Sequence, residues 1–115
     1  MESDELCARW SAAVDALNND DLSAFRRVLA ERCVWEHVGT SADEILERLR
    51  LDRSQGWLRH GIVSVSAAGS LLATVARNTY ADGSSHHVAG VAHFDVDGRI
   101  DRITALDEVS LALAS

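Results

Sequence analysis

Residues 57–106 read WLRHGIVSVSAAGSLLATVARNTYADGSSHHVAGVAHFDVDGRIDRITAL, and the division of this stretch decides the fold. Apolar and polar residues alternate with a period of two. Ala68-Gly69-Ser70, Asp82-Gly83 and Asp97-Gly98 break the alternation with the residues that hairpin turns use. Four strands are predicted, from Leu58 to Ala67, Leu71 to Ala81, Ser84 to Val96 and Arg99 to Leu106. Turns this short join antiparallel neighbours, so the C-terminal half is expected to be a four-stranded meander.

Upstream the period is helical. Leu6, Trp10, Ala13, Val14 and Leu17 follow one helix face over three turns. Asn18-Asn19-Asp20-Asp21 interrupts it and offers capping oxygens to a second helix with Leu22, Phe25, Val28 and Leu29 on its face. Cys33-Val34-Trp35-Glu36-His37-Val38, rich in β-branched and aromatic residues and stopped by Gly39-Thr40, reads as a strand. Ser41-Ala42-Asp43-Glu44 has the form of a capping box, starting a third helix whose stripe is Ala42, Ile45, Leu46 and Leu49 and which Gln55-Gly56 ends. The expected architecture is α+β, with three N-terminal helices on a curved, mostly antiparallel sheet and the early strand at one edge. Neither repeats nor an internal linker divide the chain, so residues 1–115 are expected to be one domain.

Composition narrows the function classes. Of 115 residues 47% are hydrophobic and 25% charged, as in ordinary globular proteins, and no apolar run approaches the about 18 residues of a membrane span. Eighteen acidic residues against eleven basic ones give a net charge of -7, which repels phosphate backbones and anionic lipid, so neither nucleic acid nor membrane is an expected partner. Cys7 and Cys33 have no metal-ligand spacing and read as buried free thiols. The acidic start, Met-Glu-Ser-Asp-Glu, has no secretory pattern, and a cytoplasmic protein is expected.

The order helix, helix, strand, helix, then four strands resembles the cone-shaped fold of nuclear transport factor 2, ketosteroid isomerases and SnoaL-like polyketide cyclases. Ala16-Leu17-Asn18-Asn19-Asp20-Asp21-Leu22 resembles the link between that family's first helices. Val34-Trp35-Glu36-His37-Val38-Gly39 resembles the segment before its third helix, and Phe94-Asp95-Val96-Asp97-Gly98-Arg99-Ile100 the turn into its last strand. The resemblance implies an apolar pocket between helices and sheet, no cofactor, a small apolar cyclic ligand, and a homodimer through the outer sheet face. That face would carry Ala89, Val91, His93, Ile100, Arg102, Thr104 and Leu106. It also places Trp10, Trp57, Val88, Phe94 and Ile103 at the pocket, with Trp57 at its mouth.

Matched to the isomerase pattern, Glu36 falls where those enzymes carry their general-base carboxylate, and His37 where they have proline. A carboxylate on an apolar wall is desolvated and suited to taking a proton next to a carbonyl, whereas a glutamate on an edge strand is simply a surface acid. Asp107, at the end of the last strand on the face of Asp101, Ile103 and Ala105, resembles the late aspartate of the cyclases, against the alternative of an exposed strand-end acid. The tyrosine and central-strand aspartate of the isomerase oxyanion hole are missing, since Ala13 and Ala92 stand at those places. The limonene epoxide hydrolase triad is broken by Thr79 and Ala105.

Arg77, inside an apolar strand, either faces solvent or pairs with Glu36, Asp107 or a substrate oxyanion. His86 shares a face with Val88, Ala92 and Phe94 and is a candidate proton shuttle. His86 and His87, being adjacent on a strand, cannot share a metal ion, and neither they nor His37, His60 and His93 make a metal motif. Two functions follow from the sequence: an acid–base isomerase, cyclase or hydrolase with Glu36, Asp107, Arg77 and His86 as its groups, or a non-catalytic ligand-binding or dimerisation module of the same fold.

Overall fold

A computed structural model describes residues 1–106. The elements are α1 (Ser3–Asn18), α2 (Leu22–Val28), β1 (Leu29–Trp35), α3 (Ala42–Ser54), β2 (Trp57–Ala68), β3 (Leu71–Tyr80), β4 (Ser85–Phe94) and β5 (Ile100–Leu106). The three helices pack on one face of a five-stranded sheet of order β1-β5-β4-β3-β2, antiparallel except for the β1–β5 pair. The meander and the edge position of the early strand are as expected. Among the described residues, no helix is long and apolar enough to cross a membrane.

The helices form where capping and amphipathic spacing coincide. Asp21 caps α2 by accepting from Ala24 N at 3.1 Å, and Ser41 Oγ accepts from Glu44 N at 3.2 Å to open α3. The buried stripe of α1 is Leu6, Trp10, Ala13, Val14 and Leu17, and that of α3 is Ala42, Ile45, Leu46 and Leu49, matching the sequence periods residue for residue. These stripes meet Leu72, Ala92, Phe94, Ile100 and Ile103 from the sheet in one core.

Three boundaries differ from expectation because register overrides local composition. β1 begins at Leu29, which pairs with Ile100 instead of closing α2. The polar Glu31-Arg32 lies inside β1 as an exposed irregularity, between Leu29↔Ile100 and Val34↔Arg102. Glu36-His37-Val38 is then not strand but a tight turn, in which Val38 N and Gly39 N both donate to Trp35 O at 2.9 and 3.0 Å. On β5 a bulge opposite His93 and Phe94 sets Ile100 across from Phe94, so Ile100 is fully buried and leaves the outer face on which it was expected. The same bulge takes Asp101 out of the inward set, since its carboxylate meets outward-facing His93 at 2.5 Å.

Two more bulges, between Trp57 and Arg59 and between Ile62 and Ser64, bend β2 around α1. They reverse the inward parity twice, so that Trp57, His60, Ile62, Val65 and Ala67 lie opposite the inner-face residues of β3.

His37 adopts φ +64° at the tip of the Trp35–Gly39 turn, a left-handed conformation uncommon for a side-chain residue. Gly39 is required by close approach: a Cβ there would lie 2.9 Å from both the backbone N of Ile45 and Cβ of Glu44. Gly39→Ala is therefore expected to cost about 1–3 kcal/mol, the range for overpacking a site that backbone cannot vacate. Urea denaturation reads this directly, and an unchanged midpoint at unchanged slope would show that the turn relaxes without cost.

Candidate functional site

A cavity of about 580 Å³ opens between the inner sheet face, α1 and α3. Trp10, Leu17, Phe25, Leu49, Ala76, Ala92 and Ile103 supply apolar wall, while Glu36, His37, Arg48, Asp52 and Gln55 form a polar rim. Its size falls in the usual range for small-molecule pockets, and its lining is mainly apolar.

One polar group is built into this wall with particular care. β2 is an edge strand, so half of its backbone groups have no strand partner. At His60 that edge is closed by Asn18, the last residue of α1. Its Nδ2 donates to His60 O and its Oδ1 accepts from His60 N, both at 2.8 Å. With its backbone groups directed to Asn18, His60 forms a non-hydrogen-bonded pair with Asn78 on β3, the arrangement that brings facing side chains closest. Accordingly, His60 Nδ1 lies 2.7 Å from Asn78 Oδ1.

The protonation pattern follows from the partners. An indole nitrogen can only donate, and Trp57 Nε1 donates to Asn78 Oδ1 at 3.2 Å, so that atom is the amide oxygen. His60 Nδ1 must then carry a proton to share with it, and Nε2 is the ring atom left to accept one. Burial lowers the His60 pKa from its ordinary value of 6.5, and the hydrogen bond to Asn78 opposes this more weakly. The ring is therefore neutral at pH 7, the form that acts as a base. The sign for stability is the same: the unfolded chain takes up the proton near 6.5 while the folded one resists it. This contribution is full above 6.5 and declines as pH falls toward the lower folded value.

Trp57 is itself clamped. The Arg53 guanidinium stacks 4.7 Å from its ring centroid, donates to Leu17 O and pairs with Asp20 at 3.3 Å, tying the ends of α1 and α3 to the start of β2.

The residues singled out from sequence separate into groups. Trp10, Trp57, Val88 and Ile103 line the cavity, Trp57 as a buried wall residue, whereas Phe94 is buried in the core beyond it. Glu36 lies at the rim and not on an apolar wall: its side chain is 46% exposed and 3.8 Å from Arg102 Nη1. Arg77 faces away from the cavity. It shares the outer face with His87, its cross-strand neighbour, and donates twice to Ser85 Oγ, at 3.0 and 2.7 Å, so of the two readings the outward one holds. The cause is parity, because the buried members of β3 are Leu72 and Ala76, and Arg77 alternates with them. His86 is half-buried opposite Asn78, outside the cavity lining and 3.1 Å from Tyr80 Oη. Asp107 lies outside the described residues.

His60, Asn78 and Tyr80 are among the pocket residues that sequence reasoning missed. The signal existed: once His86 and Val88 face inward, the short β3–β4 hairpin carries the same face to Asn78 and Ala76. His60 was hidden by the bulge at Trp57. Among the described residues, no three His, Cys, Asp or Glu side chains gather as a metal site. Cys33 is fully buried with its thiol pushed up to about 11, first by burial and then by the Asp101 charge, and Cys7 is half-buried.

The fold is similar to several solved structures. A candidate polyketide cyclase from Sinorhizobium meliloti has a TM-score of 0.77 at 18% identity, covering 86% of this chain and 94% of that one. An LEH-like epoxide hydrolase of M. tuberculosis has 0.77 at 22%, covering all of both chains. A candidate ketosteroid isomerase from Kribbella flavida has 0.78 at 21%, covering 90% and 77%. A search of curated proteins finds no match. At such identities these likenesses speak for the shared fold alone. The family model described as SnoaL-like domain matches residues 10–105, which is most of the chain, and the chain belongs to the SnoaL-like domain family.

Proposed function

We propose that this protein performs cofactor-free acid–base chemistry on a small, mainly apolar ring compound, with His60 as the general base. The observation that carries the reading is the neutral imidazole in the cavity wall, its Nδ1 proton held by Asn78 and its Nε2 available to a bound C–H or O–H acid. The apolar walls select the ligand by area, and the burial that lowers the His60 pKa keeps the ring in its neutral, proton-accepting form at pH 7. Isomerisation, aldol-type cyclisation and hydrolytic ring opening all begin with such a proton transfer. Glu36 serves at the mouth in this reading, able to relay a proton to solvent but paired with Arg102. The related proteins named above as cyclase, isomerase and epoxide hydrolase belong to the same span of chemistry, which supports the class of reaction and not a substrate.

The test uses a substrate that reports any desolvated base. With 5-nitrobenzisoxazole, removal of the ring C–H proton forms the nitrile as the N–O bond breaks, releasing a coloured phenolate. The rate is expected to rise with pH to a plateau, with its midpoint below 6.5 because the folded ring resists protonation. It should also be competitively inhibited by 2-naphthol. A rate no higher than that of free imidazole, with 2-naphthol still bound, would instead favour the binding module, for which the exposed position of Glu36 speaks.

A further inference from the structure

We propose that Asn78 is a ligand-recognition residue, its amide N–H2 donating to a carbonyl or similar acceptor oxygen held beside the ligand atom that faces His60. The assignment rests on the reading of the cavity as the ligand site, though not on His60 acting as a base. Asn78 lines the cavity, and its Oδ1 accepts from Trp57 Nε1 at 3.2 Å and lies 2.7 Å from His60 Nδ1. Both lone-pair directions of that oxygen are thereby used. Turning the amide over would lose both bonds and set its N–H groups against the indole N–H, so the carboxamide has one orientation. Its Nδ2 then carries two N–H donors and has no partner among the described residues.

This donor keeps open surface. Trp10 Nε1 is the one side-chain nitrogen or oxygen among the described residues that is sealed from solvent without a partner, so Nδ2, in a half-buried residue, remains accessible. Two neighbouring donors of the wall are already occupied, since Trp57 Nε1 gives its proton to Asn78 and Thr74 Oγ1 donates to Ser64 O at 3.2 Å. A ligand that fills the cavity strips water from the Asn78 amide. One without an acceptor there leaves the donor unpaired, which is how a polar group in an apolar wall rejects the wrong ligand. The same amide also fixes the two poles relative to each other, because Oδ1 holds the Nδ1 proton of His60 while Nδ2 holds the ligand oxygen. When His60 Nε2 takes a proton from the carbon next to a carbonyl, the C–H electron pair becomes the C=C bond of the enolate and the carbonyl π pair moves to oxygen. That charge meets the Asn78 N–H, and the imidazolium formed at the same time keeps its Nδ1–H on Oδ1.

The experiment compares 1-indanone with indane, which differ by the carbonyl oxygen. The chain has three asparagines, Asn18, Asn19 and Asn78, so selective 15N-asparagine labelling gives three side-chain amide signals, and the one missing from Asn78→Asp belongs to Asn78. 1-Indanone is expected to move one proton of the Asn78 N–H2 pair downfield, and indane to move it far less. Asn78→Asp keeps an oxygen for Trp57 and His60 but puts a second oxygen in place of the donor nitrogen. In that variant the preference for 1-indanone over indane, read from quenching of the cavity tryptophans, should fall by about 5-fold, the worth of one hydrogen bond. An Asn78 signal that responds equally to both ligands, or an unchanged preference in Asn78→Asp, overturns the assignment; if that variant does not fold, the wild-type spectra decide alone. Failure of both ligands to quench the tryptophans refutes the cavity as a ligand site and this assignment with it. A downfield shift together with an undiminished base reaction in His60→Gln would reject His60 as base and leave the Asn78 donor standing, whereas an unshifted signal with His60→Gln inactive would do the reverse.

Discussion

His60→Gln is expected to lower the rate on 5-nitrobenzisoxazole by about 100- to 1,000-fold while leaving the fold and the affinity for 2-naphthol nearly unchanged. The range is that of a positioned general base. Glutamine has nearly the span of the imidazole, and its amide N–H can still reach Asn78 Oδ1, which His60 Nδ1 meets at 2.7 Å. What it lacks is the basic lone pair at the position of Nε2. Binding is carried by the apolar wall, Trp10, Phe25, Ala76 and Ile103 among it, and none of these contacts depends on the ring nitrogen. The effect should therefore fall on turnover and not on affinity, the signature of an interaction made in the transition state. Glu36→Gln serves as the comparison. Its carboxylate is half-exposed and 3.8 Å from the Arg102 guanidinium, so its removal is expected to change the rate by less than about 10-fold. If Glu36→Gln abolishes the reaction and His60→Gln retains more than a third of it, the base is the rim carboxylate.

The contrast between those two residues shows where sequence is legible and where it is not. The helices, their caps and the hairpin meander follow from local rules, and the structure reproduces the α1 and α3 stripes, the Asp21 and Ser41 caps and the glycine turns. Alternation along β4 put Val88 and Ala92 on one face, which the resemblance placed inward, and regular pairing to β3 keeps that face intact opposite Ala76 and Leu72. Alternation fails where an extra residue enters a strand. The bulges at Trp57, at Ile62 and opposite His93 each reverse parity across them, which concealed His60 and misassigned Ile100 and Asp101. A bulge is settled by long-range pairing and by the curvature needed to wrap α1, and neither is written in the neighbouring residues. The surroundings of Glu36 were open in the sequence for a related reason. Val38-Gly39 fits the pattern of the isomerases, but the chain turns back on itself after Trp35, leaving Glu36 at the opening.

Asn18→Ala is expected to destabilise the protein by about 2–3 kcal/mol and to lower the base reaction at temperatures where the fold persists. Asn18 was legible only as a helix breaker, yet its side chain replaces a missing strand along the β2 edge by meeting both backbone groups of His60 at 2.8 Å. Alanine leaves a donor and an acceptor without partners in a half-buried place, each worth about 1–3 kcal/mol where water cannot fully substitute. Partial hydration brings the sum below the full penalty of two groups. Asn18→Asp separates the two bonds. Its carboxylate still accepts from His60 N but opposes His60 O, and it adds a negative charge at the C-terminal end of α1, where the helix dipole disfavours one. Stability should therefore fall in Asn18→Asp as well, while the nearby charge favours protonated His60 and moves the midpoint of the pH–rate profile upward. Urea denaturation and the 5-nitrobenzisoxazole profile read the two effects separately. Losses under about 0.5 kcal/mol in Asn18→Ala would show that water closes the strand edge as well as the asparagine does. A large loss of stability in Asn18→Asp with an unmoved midpoint would detach the edge clamp from the base. Stability lost in both variants, with the midpoint raised only in the aspartate, would show that a single helix-terminal side chain holds the strand in place and lies close enough to His60 to tune it.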